Sequence, residues 1–175
     1  GRARTEVMLR SVMGEDCPPD ALRAYQVLTG LSSHSFSAMR DLLGPPKRCS
    51  YAVQHKGETV LALFDYGHFT ALYEAVIDEV SRFDAGIEVL TQAQHFRMNY
   101  DTPYIRNLPT RLEITSSTET DTGIEIIGPV YEDPFRIELG AFQDSVTRGV
   151  PNKTTLQDSL EDLLLFKEVA RHFQR

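Results

Sequence analysis

The sequence contains no tryptophan and only two cysteines in 175 residues. Cys17 and Cys49 have no CxxC spacing and no histidine beside them, which excludes a zinc ligand set and a disulfide framework and makes a reducing, cytoplasmic setting the expectation. No apolar stretch approaches the roughly 20 residues of a membrane span; the most hydrophobic one, DLLLFKEVA, is already broken by lysine and glutamate. Positive charge is scarce, with 18 Lys and Arg against 25 Asp and Glu and a formal net charge of -7. No basic stripe interleaved with aromatics is present, so a nucleic-acid partner is not expected. There is no internal repeat, and no glycines form the G-x-G-x-x-G turn of a dinucleotide-binding βαβ unit. The chain opens on GRARTEV, with no initiator methionine, apolar leader or lipidation motif. The expectation is a piece of a longer protein, or a processed one.

What is present is the balance of a globular chain: 41% hydrophobic and 25% charged residues, at a length that suits one domain over residues 1–175. PPDALRAYQVLTG reads as a helix started by prolines and capped by Asp20, with Leu22, Tyr25 and Leu28 on one face. A second helix follows, with Ser32 or Ser33 as N-cap and a stripe of Phe36, Met39, Leu42 and Leu43, stopped by Gly44-Pro-Pro. From Lys47 the period becomes two. RCSYAVQ, a KGE turn and TVLALFDYG make a hairpin in which Val60, Ala62, Phe64 and Tyr66 share a face. HFTALYEAVI, AGIEVLTQ, QHFRMNYD, TRLEITSST and GIEIIGPVY continue as strands. Two helices close the chain, one from Pro134 to Gly149 bearing Phe135, Leu139, Phe142 and Val146, the other with Thr155 and Asp158 in a capping-box-like arrangement. The expected fold is α+β: an open, largely antiparallel β-sheet with helices from both chain ends packed on one face. Leu22, Leu42, Phe142, Leu160 and Leu164 are expected to cover that face. GIEVLTQ and TRLEITSS read as apolar on both sides, so the other face wants a partner, a second copy of the chain first of all.

Few residues carry chemistry. His34 is one histidine among serines at a helix start; it is either an acid-base group or an imidazole satisfied by Ser32, Ser33 or Ser37. DYGHF places Tyr66 and His68 at a strand end, as pocket lining or rim packing. YDTPYIRN gathers Asp101, Tyr104 and Arg106 in a turn, where Arg106 either holds a substrate carboxylate or phosphate or pairs with Asp101. The acidic residues of DSLEDLL, with Glu168, read as a solvated helix face rather than a metal site.

Taken together, LTGLSSHSFSAMRDLLGPPKR, the FDYG strand end, FDAGIEV, DTPYIRNLPTRLEI and YEDPFRIELGAFQDSVTRGVPNKTTLQDSLEDLLLFKEVARHF resemble the C-terminal domain of the glucose-fructose oxidoreductase and inositol dehydrogenase (Gfo/Idh/MocA) family. That resemblance implies a dihydrodipicolinate-reductase-like C-terminal domain of a two-domain oxidoreductase. Its N-terminal Rossmann domain, missing here, would bind NAD or NADP, so this chain would bind no cofactor itself. It implies that the domain closes over a sugar, polyol or hydroxy-acid-like small molecule, and that it self-associates through its open sheet. It also implies that His34 is the catalytic acid-base residue. Ser33, Ser37, Tyr66, His68, Tyr104 and Arg106 are the expected substrate-binding set. Gly30 and Ser37 stand where many members carry aspartates. The competing readings are a free-standing, cofactor-independent isomerase or cyclase, and a non-enzymatic dimerisation or binding module.

Overall fold

The protein is described by a computed structural model covering residues 2–174. In chain order the elements are α1 (Arg2–Met13), α2 (Pro19–Gly30), α3 (Ser33–Leu43), β1 (Arg48–His55), β2 (Thr59–Asp65), β3 (Thr70–Val76), β4 (Ala85–Leu90), β5 (Gln94–Tyr100), β6 (Thr110–Ser117), β7 (Thr122–Val130), α4 (Pro134–Arg148) and α5 (Leu156–Arg171). A 3-10 turn over His172–Gln174 follows. The α+β class and the antiparallel pairing are as expected. The strands, however, are divided between two sheets, β1-β2-β3 and β4-β5-β6-β7. The chain correspondingly forms two compact units: one runs to Glu79 and resumes at Thr154, the other spans Val80–Lys153.

In the first unit, α2, α3 and α5 pack on the inner face of the three-stranded sheet, and the core is built from Leu28, Phe36, Val60, Phe64, Phe166 and Val169. The alternation read in β2 holds, since Val60, Ala62 and Phe64 are buried and Tyr66 continues their face. Helix α1 is an addition that the sequence reading does not contain; its last residue, Met13, joins the core. Asp20 does not cap α2. Pro18 takes the N-cap position with Pro19 behind it, so the cap is set by fixed φ angles and not by a side-chain acceptor. Two stripes are also corrected. α3 buries Phe36 and packs Met39 and Leu43 while Leu42 is exposed. On α5 the packed face is Asp162, Leu165, Phe166, Val169 and Ala170, and Leu160 and Leu164 lie outside it. Three consecutive leucines at 163–165 make two faces of α5 apolar, and only the tertiary partner selects between them.

In the second unit, α4 starts at Pro134 behind an Asp133 cap and ends at a left-handed Gly149, as its sequence indicates. It contributes no buried residue, so Phe142 is exposed instead of covering a sheet. The register of the four strands places Ile87, Val89, Phe96, Met98, Leu112 and Ile114 on one face and Glu88, His95, Arg97 and Glu113 on the other. β4 and β6 are therefore largely one-sided. β7, with Ile124 and Ile126 on one face and Ile127 on the other, is the strand that is apolar on both. Among the described residues no helix is long and apolar enough to cross a membrane.

Candidate functional site

Helix α3 carries Ser33, His34 and Ser37, and side chains hold it at its start, middle and end. At its start, Ser32 closes the first helical turn through its carbonyl, which accepts from Phe36 N at 2.9 Å. The Ser32 side chain makes no cap bond. It is buried and turned inward, accepting from the Tyr73 hydroxyl and donating weakly to the Val27 carbonyl at 3.4 Å. In the middle, Phe36 meets the rings of Phe64, Tyr73 and Phe166 edge-on at centroid distances of 5.5, 4.8 and 4.8 Å. At the end, the Tyr66 hydroxyl donates to the Gly44 carbonyl at 3.2 Å, and burial pushes the Tyr66 phenol above its usual pKa.

The result for His34 is exposure. Its imidazole lies on the first turn of α3, open to solvent and without a hydrogen bond among the described residues, while Ser33 and Ser37 are half-buried and neither bonds to it. Ser32, its other possible local partner, is committed to Tyr73 and Val27. Tyr66 bonds at the far end of the helix, roughly 15 Å along the axis from the His34 turn at 1.5 Å per residue. His68 is exposed and meets the Phe69 ring edge-on at 4.8 Å, and Phe69 stacks on Tyr66 at 4.4 Å. The neighbouring Asp65 carboxyl is held below the usual carboxylate range, first by the Gly67 N–H and then by Arg48.

Tyr104 and Arg106 belong to the second unit. Asp101 does not pair with Arg106: its carboxylate accepts from the next amide, Thr102 N, at 2.6 Å, an Asx-type turn. Arg106 instead reaches Asp133 at 3.5 Å, the residue that caps α4 by accepting from Phe135 N and Arg136 N. Tyr104 is 85% exposed, 6.1 Å from the Phe135 ring. On the polar face of the four-stranded sheet, one Glu88 oxygen accepts from Arg97 at 2.7 and 3.1 Å and lies 2.6 Å from His95 Nε2. The Arg97 bonds, followed by His95, hold Glu88 below its ordinary pKa.

Of the acidic residues of α5, Glu161 is solvated, but Asp158, Asp162 and Glu168 are not a solvated face. Arg40 of α3 donates from Nε to Asp162 at 2.7 Å, and from its two terminal nitrogens to the carboxylate and main-chain oxygen of Asp158 at 2.9 Å each. The Asp162 bond is the largest cause holding the guanidinium above its already high pKa. Glu168, also on α5, accepts from Cys49 N at 2.7 Å, and His172 Nε2 lies 3.3 Å from the Cys49 carbonyl. The edge of β1 is thereby closed at Cys49 by α5 and the turn that follows it. Burial, followed by the Glu168 charge, pushes the Cys49 thiol up to about 11. Beyond Cys49 a shallow groove of about 380 Å³ runs along β1 past Tyr51, Val53, Gln54, His172 and Phe173. Among the described residues no group of three or more His, Cys, Asp or Glu side chains is arranged to hold a metal.

No protein-family model matches the chain, and no curated protein matches it. Among solved structures the chain is similar to yvaA of Bacillus subtilis, a protein assigned as an oxidoreductase, with a TM-score of 0.66 at 14% sequence identity. The likeness covers 83% of this chain and 48% of that one. The chain thus spans about half the length of the protein it matches, and what the two share is the fold.

Proposed function

We propose that this chain is the substrate-facing and self-associating part of an oxidoreductase acting on a sugar, polyol or hydroxy-acid-like molecule, with His34 as its acid-base group. The observation that carries the reading is the state of His34: a solvent-open imidazole without a partner among the described residues, on the first turn of a helix that is itself tied down along its length. Oxidising a secondary alcohol requires a base for the hydroxyl proton, and imidazole is a side chain that can take up that proton. A histidine kept for packing would be buried or satisfied. Ser33 and Ser37 stand on the same helix, within reach of further hydroxyl groups of a polyol.

The nicotinamide cofactor does not fit the residues described here. Every strand pair is antiparallel, whereas a pyrophosphate is cradled by a glycine turn between a parallel strand and a helix. In this reading NAD or NADP comes with a Rossmann domain outside residues 2–174. The second part of the proposal, self-association, rests on the outer face of the three-stranded sheet. Tyr51, Leu63 and Leu72 stand opposite one another there, beside Val53, Leu61 and Val76, with Glu74 the acid among them. Tyr51, Leu72 and Val76 are each at least half exposed. The same face also favours the non-enzymatic reading, a binding module.

Histidine-ring NMR on the chain tests the enzymatic reading. The His34 resonance, assigned by its loss in His34→Asn, should shift on titration with an inositol, glucose or lactate, and calorimetry with NAD(H) and NADP(H) should show no saturable heat. A ring resonance unmoved by all three probes, or micromolar binding of either dinucleotide, overturns it.

A further inference from the structure

The contact between Tyr73 and Ser32 has no counterpart in the recognition of a substrate, yet it sits directly under the turn that carries His34. Ser32 is almost completely buried, and its hydroxyl faces the core, away from the free N–H groups of α3 that a serine at an N-cap ordinarily satisfies. The hydroxyl that reaches it comes from β3, forty-one residues away in sequence, and the Tyr73 ring is at the same time wedged against Phe36. Ser32 and Phe36 bracket His34, and the Phe36 N–H bonds back to the Ser32 carbonyl. One side chain of the sheet therefore fixes both ends of the five-residue turn from which the imidazole projects.

We infer that Tyr73 is a positioning residue: its hydroxyl, acting through Ser32, sets the first turn of α3 and with it the direction in which His34 is presented. The inference rests on the reading of His34 as the acid-base group, and it adds the element that aims it. Tyr66 and Arg40 hold the same helix further along and provide the contrast, because their loss leaves the Ser32–Phe36 turn gripped.

The test uses the whole chain and variants that keep the packing. Tyr73→Phe retains the ring against Phe36 and removes only the hydroxyl; Ser32→Ala removes the other partner. Native-state hydrogen exchange read by NMR should show the Phe36 and Ser37 amides exchanging about tenfold faster in both variants relative to the Val169 and Ala170 amides of α5. The His34 ring resonance should move in both. Tyr66→Phe should do neither. Uniform acceleration across α3 and α5, or a His34 resonance that stays in place in Tyr73→Phe and Ser32→Ala, overturns the inference and leaves Tyr73 an ordinary core residue. Failure of the polyol titration with this exchange pattern intact would refute the catalytic reading of His34 and leave the positioning standing, so the two fail separately.

Discussion

Removing the Asp162 carboxylate should be among the most damaging single changes to the first unit. The Asp162 side chain is 9% exposed and the Arg40 side chain 11%, so Asp162→Ala leaves a largely desolvated guanidinium with its Nε unpaired. Arg40 cannot escape by losing its proton, because the remaining Asp158 bonds also hold it charged. Breaking one side of a buried pair in this way costs about 3–5 kcal/mol, which for a chain of this size lowers the melting temperature by roughly 10 °C. Asp158→Ala is a different perturbation. Its side chain is 31% exposed and its main-chain oxygen still accepts from Arg40, so the loss should be about 1 kcal/mol. The double replacement Arg40→Met with Asp162→Leu removes both charges and keeps the volume, and should return to within about 1–2 kcal/mol of the parent. Thermal melts followed by circular dichroism, with exchange at Val169 marking this unit, give the three values. If Asp162→Ala costs no more than Asp158→Ala, or the double variant is as poor as the single, the pair is not the desolvated clamp its geometry describes.

Gly57 has φ +66°, and a Cβ there would lie 2.6 Å from Arg23 Cβ and 2.8 Å from the Asp20 carbonyl. Gly57→Ala should therefore cost about 2 kcal/mol or more, against about 1 kcal/mol for Gly149→Ala, where the same φ meets open space; equal losses in denaturant titration would refute the steric part. Cys49, raised from 9.0 to about 11, carries about a hundredfold less thiolate than a free thiol at pH 8, so alkylation by iodoacetamide should be at least that much slower. The same shift stabilises the fold fully below pH 9.0 and is lost as pH rises through about 11, so Cys49→Ala should flatten the alkaline limb of the stability profile. Leu72→Lys places a charge in the middle of the outer sheet face; sedimentation should show an assembly for the parent chain and a monomer for the variant, and a parent that stays monomeric at high concentration refutes self-association.

Where the sequence was legible, the signal was local. The alternation of β2 needs only the period of a strand, the α4 boundaries need only Asp133, Pro134 and Gly149, and the Thr155 cap of α5 needs only Asp158 three residues on. The seven strands follow from the same kind of signal. Which strands pair is not local, and the division into two sheets falls between β3 and β4, where Asp78, Glu79, Arg82 and Asp84 interrupt the strand period without saying that the pairing stops there. Arg106 is a similar case. Asp101 is near it in sequence and takes its own neighbour's amide, while the carboxylate it reaches is already fixed in place by capping α4.

The clamp between α3 and α5 left a trace that composition alone conceals. Arg40 lies four residues after Phe36 and three before Leu43, so it occupies the packed stripe of α3. Asp162 lies three and four residues before Leu165 and Phe166, in the packed stripe of α5. Each is a charge where the helical period demands an apolar residue, and each is prohibitively costly there alone. A chain that keeps both must bring them together, because burial of one is tolerable only beside the other. Read separately, the acidic cluster of α5 looks solvated and Arg40 looks like a surface cation. Read as opposite charges intruding into two apolar stripes, they specify a contact across more than a hundred residues of sequence, and that contact fixes how the helix bearing His34 lies against the core.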